Sequence, residues 1–172
     1  MCGESVDEDE IVEEYDYNDD VTIRQMPWMV SLGQFVSSTK WVHDCGGSVI
    51  TKRYMNIHHF TYWQLFIIEL HQNLISFYRH VLTAAHCIRA HVLESIKDGN
   101  YFMRLGTSDL TNVQSGTKRK VIEAFKHSKY RSAPYFDAAI IQSDVNIEFT
   151  KWVRPICLPM SPIDDEDYFA GT

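Results

Sequence analysis

Val81-Leu82-Thr83-Ala84-Ala85-His86-Cys87 opens as a β-type run, narrows to two alanines and ends on a histidine joined to a cysteine. Apolar and β-branched residues suit a strand, and the small pair lets the chain pack tightly where the histidine is held. Upstream, Cys45-Gly46-Gly47-Ser48-Val49-Ile50 is a second such run, with glycines that permit close backbone approach. Further strand-like runs lie at 28–32, 47–51, 101–105, 120–125 and 138–141. Gly33, Gly99-Asn100, Gly106, Ser115-Gly116 and Pro134 read as the turns between them. Short strands at this spacing predict an all-β barrel or sandwich and argue against a βαβ fold.

The 172 residues suit one domain, and 45% hydrophobic content supports a packed core. The net charge of -7 misdescribes that domain. Residues 1–20 carry ten acids and no base; without them 13 acids face 16 bases, a net charge of +3. Residues 1–26 therefore read as an acidic leader or linker. Lys118-Arg119-Lys120 is the only basic cluster and has no interleaved aromatics, which excludes nucleic acid as a partner. The stretch Tyr54–His80 contains the apolar run Phe60–Ile68 but is too short and too interrupted to cross a bilayer. As folded protein it would form a loop or short helix between two strands. Its His58-His59 pair has no cysteine or carboxylate at ligand spacing, so neither a metal site nor a cofactor is expected.

Cys2, Cys45, Cys87 and Cys157 form no C-x-x-C pair, which argues against a zinc ribbon or a thioredoxin-type site. Two structural disulfides fit their number and would place the chain in an oxidising compartment. The N-terminus is acidic where a signal peptide needs basic and apolar residues.

Two more runs complete a pattern. Asp137-Ala138-Ala139-Ile140-Ile141 sets a carboxylate at the head of a buried strand, and Arg154-Pro155-Ile156-Cys157-Leu158-Pro159 is a proline-bounded linker with a cysteine. With the two runs around Cys45 and His86, they resemble the first half of the peptidase domain of chymotrypsin/trypsin-like serine proteases, from Pro27 to Gly171. The resemblance implies an all-β fold, a chymotrypsin-like Greek-key barrel that is the first of the family's two. Residues 27–172 would then be a partial peptidase domain. It makes His86 the general base and Asp137 the carboxylate that fixes its tautomer. It pairs Cys45 with Cys87 and Cys2 with Cys157. A secreted, extracellular protein follows, monomeric when complete, acting on protein substrates or cascade proteins.

The sequence also departs from the family. No Gly-Asp-Ser-Gly-Gly run occurs, so this chain contains no candidate nucleophile and is expected to be inactive by itself. The nearest match to the family's activated start, Ile11-Val12-Glu13-Glu14, follows Glu10 and lacks both glycines. Cys45 and Cys87 are 42 positions apart. The family sets them about 16 apart, an excess of roughly 26 that a surface loop would tolerate cheaply. Removing Met55–His80 or Tyr54–Arg79 restores the spacing; read as breaking a core strand, and apolar without a clear period, the segment is taken as a translated intron. Two functions stand: a trypsin-like endopeptidase, or a non-catalytic protease homologue acting as a binding or regulatory module. The barrel face that meets the family's second barrel is expected to be apolar and exposed.

Overall fold

Alternation decides which residues of each strand meet the core. Val30 and Leu32, two residues apart, are buried inside, as are Val81, Met103, Leu105, Val121, Ala139 and Ile141. The computed structural model describes residues 26–50 and 79–158. Within them run six strands: β1 (Met29–Ser37), β2 (Lys40–Ile50), β3 (His80–Thr83), β4 (Phe102–Leu105), β5 (Thr117–Lys126) and β6 (Ala139–Ser143). They close into an antiparallel barrel in the order β1-β2-β3-β6-β5-β4, with β4 returning to β1. Each three-strand run is a meander, and the β3–β6 and β1–β4 pairings join the two. Among the described residues, closure leaves no strand at a sheet edge. The all-β, chymotrypsin-like barrel expected from the sequence is what forms.

Three details differ from the sequence reading. Gly33 is not a turn. It lies inside β1 at a register shift, where a Cβ would run into the carbonyl of Val42. The strand continues past it because only glycine fits that approach. A helix also goes unanticipated: α1 (Ala90–Lys97) presents Val92 and Ile96, one helical turn apart, to the core. Finally, the runs ending at Ile50 and starting at His80 are two separate strands, not one interrupted core strand. Ile50 and His80 face each other across the antiparallel β2–β3 pair, so the chain must reverse between them whatever its length. His80 itself belongs to β3 and is buried. Residues 51–78, and with them the expected loop or short helix, lie outside the described residues, as does the 1–26 leader up to residue 25.

Outside the barrel, Ala138 and Ile140 bury themselves with Ile50 against Leu82, Ile156 and Leu158. The backbone of Ile156 donates to Val49 O at 2.9 Å, and Arg154 to Pro27 O at 3.0 Å. The apolar outer face of β6 is thus covered by the linker that follows.

Arg104 on β4 is 1% exposed and organises the β4–β5 connection. Its guanidinium donates to the carbonyls of Leu110, Asn112 and Ser115 at 3.1, 2.7 and 3.1 Å, and lies 5.5 Å from the Trp41 ring centroid. A buried guanidinium is tolerated because several acceptors surround it.

Candidate active site

Register places the site. Thr83 at the end of β3 pairs with Ala139 at the start of β6. The residues just beyond Thr83 and just before Ala139 therefore emerge at the same end of the barrel. After β3 the chain tightens into a single 3-10 turn, Ala85–Cys87, that carries His86. Ala85 is fully buried, and its small side chain lets this turn sit flush on the core. Before β6, Phe136 takes a left-handed backbone conformation, φ 52°. A bulky residue pays strain there. The Phe136 ring lies 4.9 Å from the His127 ring, and the turn carries the chain directly into Asp137.

Asp137 grips the histidine residue twice. Its Oδ1 accepts the backbone N–H of His86 at 2.8 Å, and its Oδ2 lies 2.7 Å from His86 Nδ1. An ionised carboxylate only accepts, so Nδ1 carries the proton and Nε2 presents its lone pair. Burial alone favours the neutral carboxyl. The bonds from the His86 ring and from the backbones of His86 and Ala85 outweigh it and hold Asp137 below the usual carboxylate range. The Asp137 side chain is 16% exposed and that of His86 50%, so one side of the ring faces solvent.

Two links fix the turn to β2. Thr83 Oγ1 donates to Gly46 O at 2.7 Å, and Cys45 and Cys87 form a disulfide with Cα atoms 6.1 Å apart. Gly47 sits beside them, where a Cβ would meet Val81 Cγ1 at 2.6 Å. The expected Cys45–Cys87 bond is present. Cys157 is also disulfide-bonded, but the Cys2 half of the expected Cys2–Cys157 pair lies outside the described residues. Cys87 Sγ lies 3.7 Å from His86 Nε2. Among the described residues no hydroxyl is bonded to Nε2, and no helix is long and apolar enough to cross a membrane.

The geometry brings together the two residues the sequence singled out, His86 and Asp137. What sequence reading missed is the support around them: the left-handed Phe136, and Thr83 Oγ1 tying β3 to Gly46. Neither carries a signal readable in one sequence, since each depends on what folds against it.

A closed six-stranded barrel with a histidine turn after β3, held by a carboxylate before β6, defines the class as the trypsin-like serine proteases. The family description "Trypsin" matches residues 68–172, more than half of the chain, and the chain belongs to that family. It is 27% identical over 173 residues to phenoloxidase-activating factor 1 of Holotrichia diomphalia, covering 92% of this chain and 39% of the relative. It is 29% identical over 160 residues to chymotrypsin-C of Rattus norvegicus, covering 89% and 47%. Against a venom protease of Bombus pensylvanicus the identity is 28% over 151 residues, covering 84% and 49%. The chain thus spans less than half the length of each of these relatives.

Proposed function

We propose that this chain supplies the histidine and aspartate of a serine-type endopeptidase, with His86 as general base and Asp137 as its orienting partner. The observation that carries the reading is the two-point grip of Asp137 on His86, at 2.8 and 2.7 Å. It leaves Nε2 as the proton acceptor of a half-exposed ring, where a serine hydroxyl of the whole protein would be deprotonated for attack on a peptide carbonyl. The 1–26 segment is then a leader and 27–172 the first part of the peptidase domain. Disulfides suit a secreted protein. The relative named an activating factor suggests a proteolytic cascade, with protein substrates, as the setting.

The test is a fluorophosphonate probe, which reacts only with activated serines. The purified 172-residue chain should remain unlabelled, because without a positioned nucleophile and oxyanion donors the His86–Asp137 pair has nothing to activate. The full natural product of the same locus should label, and His86→Ala should abolish that labelling. A full product carrying glycine in place of the serine, and unlabelled, would establish the non-catalytic homologue instead.

A further inference from the structure

The ten acids of residues 1–20 take no part in the site around His86. The barrel offers them a face of opposite charge. Strands β1, β4 and β5 adjoin in the ring and carry Arg104, Lys118, Arg119, Lys120 and Lys126 against one acid, Glu123. Asp109, in the loop held by Arg104, is committed to the backbone N–H groups of Thr111 and Asn112. We propose that the segment Ile11–Asp20 docks across this face, over Phe35 and Phe102, with its carboxylates at Lys118 and Lys120. The inference is independent of the proteolytic reading.

Folding gives the basic cluster the aromatics it lacks in sequence. Met103 fills the core, so Phe102 and its cross-strand partner Lys120 stand on the outer side of the sheet. The Phe102 and Phe35 ring centroids are 5.5 Å apart, and the Lys118 ammonium lies 4.9 Å from that of Phe35. Beside Phe35, Val36 is 60% exposed. The segment Ile11-Val12-Glu13-Glu14-Tyr15-Asp16-Tyr17-Asn18-Asp19-Asp20 has the matching chemistry, with apolar and aromatic side chains set among acids and no base.

Reach and tethering favour this occupant. Phe35 lies six residues along β1 from Met29, about 20 Å at 3.3 Å per residue. The six residues from Asp20 to Met26 span about 20 Å when extended, so a chain turning back along β1 brings Asp20 and the acids before it to Phe35. A segment joined this closely to its face is present at an effective concentration on the order of millimolar, which sets it ahead of free anions or a second copy. In the ring, β1 and β4 lie opposite β6 and β3, so the docked segment lies away from His86 and Asp137.

Carbodiimide coupling of the full, oxidised chain tests the contact. The reagent joins a carboxylate to an amine that touches it: an amide bond forms, and the carbodiimide takes up the lost water as a urea. Mixing unlabelled and isotope-labelled chain beforehand separates links within a molecule from links between two. Peptide mapping should find carboxyls of Glu13–Asp20 joined to Lys118 and Lys120 within single molecules. The yield should fall at least about threefold between about 0.1 M and about 1 M salt, as the Debye length shrinks from about 10 Å to about 3 Å. In the full chain, Lys118→Gln with Lys120→Gln should shift the backbone amide NMR signals of Ile11–Asp20. Links spread evenly over exposed lysines such as Lys97 and Lys151 would overturn the proposal. So would links chiefly between molecules, which make a second copy the occupant, or leader signals that the double variant leaves unmoved.

Discussion

Replacing Asp137 with asparagine should reverse the tautomer of His86. The two carboxylate oxygens have different duties: Oδ1 accepts the His86 backbone N–H at 2.8 Å, and Oδ2 accepts Nδ1–H at 2.7 Å. In Asp137→Asn the amide oxygen must keep the Oδ1 position, because an NH2 there would face a backbone donor. The amide NH2 then takes the Oδ2 position and donates to Nδ1, which must give up its proton and accept. The proton moves to Nε2, the atom that should be an acceptor. A hydrogen bond to a charged group contributes about 1.5–3 kcal/mol, a preference of about 10- to 150-fold for the Nδ1–H form in the native chain. The half-exposed ring places the value near the lower end. Long-range nitrogen–proton NMR of the neutral imidazole distinguishes the tautomers directly. Native His86 should report more than about nine-tenths Nδ1–H, and Asp137→Asn a majority of Nε2–H. An Nε2–H majority in the native chain would refute the reasoning, as would an unchanged tautomer in the variant.

Arg104→Met should cost about 2–4 kcal/mol in denaturant unfolding, because the carbonyls of Leu110 and Ser115 lose donors at about 1–3 kcal/mol each; a loss below about 1 kcal/mol would show that water replaces the guanidinium. Gly47→Ala should destabilise the barrel by at least about 1 kcal/mol, since its Cβ overlaps Val81 Cγ1 and lies 3.0 Å from Leu82 O; thermal unfolding reads it. Asp109 is held below its ordinary value first by the Thr111 hydroxyl and then by the Asn112 N–H, with burial opposing. A lowered carboxyl stabilises the fold above its unfolded pKa of about 3.9, and that stability disappears as pH falls through the folded value. Asp109→Asn should therefore flatten the acid limb of the stability–pH curve, and an unchanged limb would sink the assignment. Deleting Tyr54–Arg79 leaves Thr51-Lys52-Arg53 between the paired Ile50 and His80, a length that hairpins use routinely. The shortened chain should keep its β-rich circular dichroism and its Cys45–Cys87 bond, and collapse of the fold would make the segment integral to the barrel.

Sequence by itself carried the strand composition, and the runs ending in His86 and beginning at Asp137 named both halves of the site before any coordinates. They were legible through the resemblance to the trypsin-like family, whose motifs occupy consecutive positions. What remained illegible depends on partners distant in the chain. Gly33 reads as a turn until Val42, on the neighbouring strand β2, shows why a strand needs glycine there. Ile50 stands opposite His80 across the antiparallel β2–β3 pair, so the runs around them are two strands rather than one interrupted strand, which only the pairing shows. Arg104 gives no sign in sequence of being buried, because its acceptors are backbone carbonyls, which every residue possesses and only folding aims. The distance between His86 and Asp137 is likewise a product of register. Fifty-one positions separate them in the chain, and the pairing of Thr83 with Ala139 brings them to 2.7 Å.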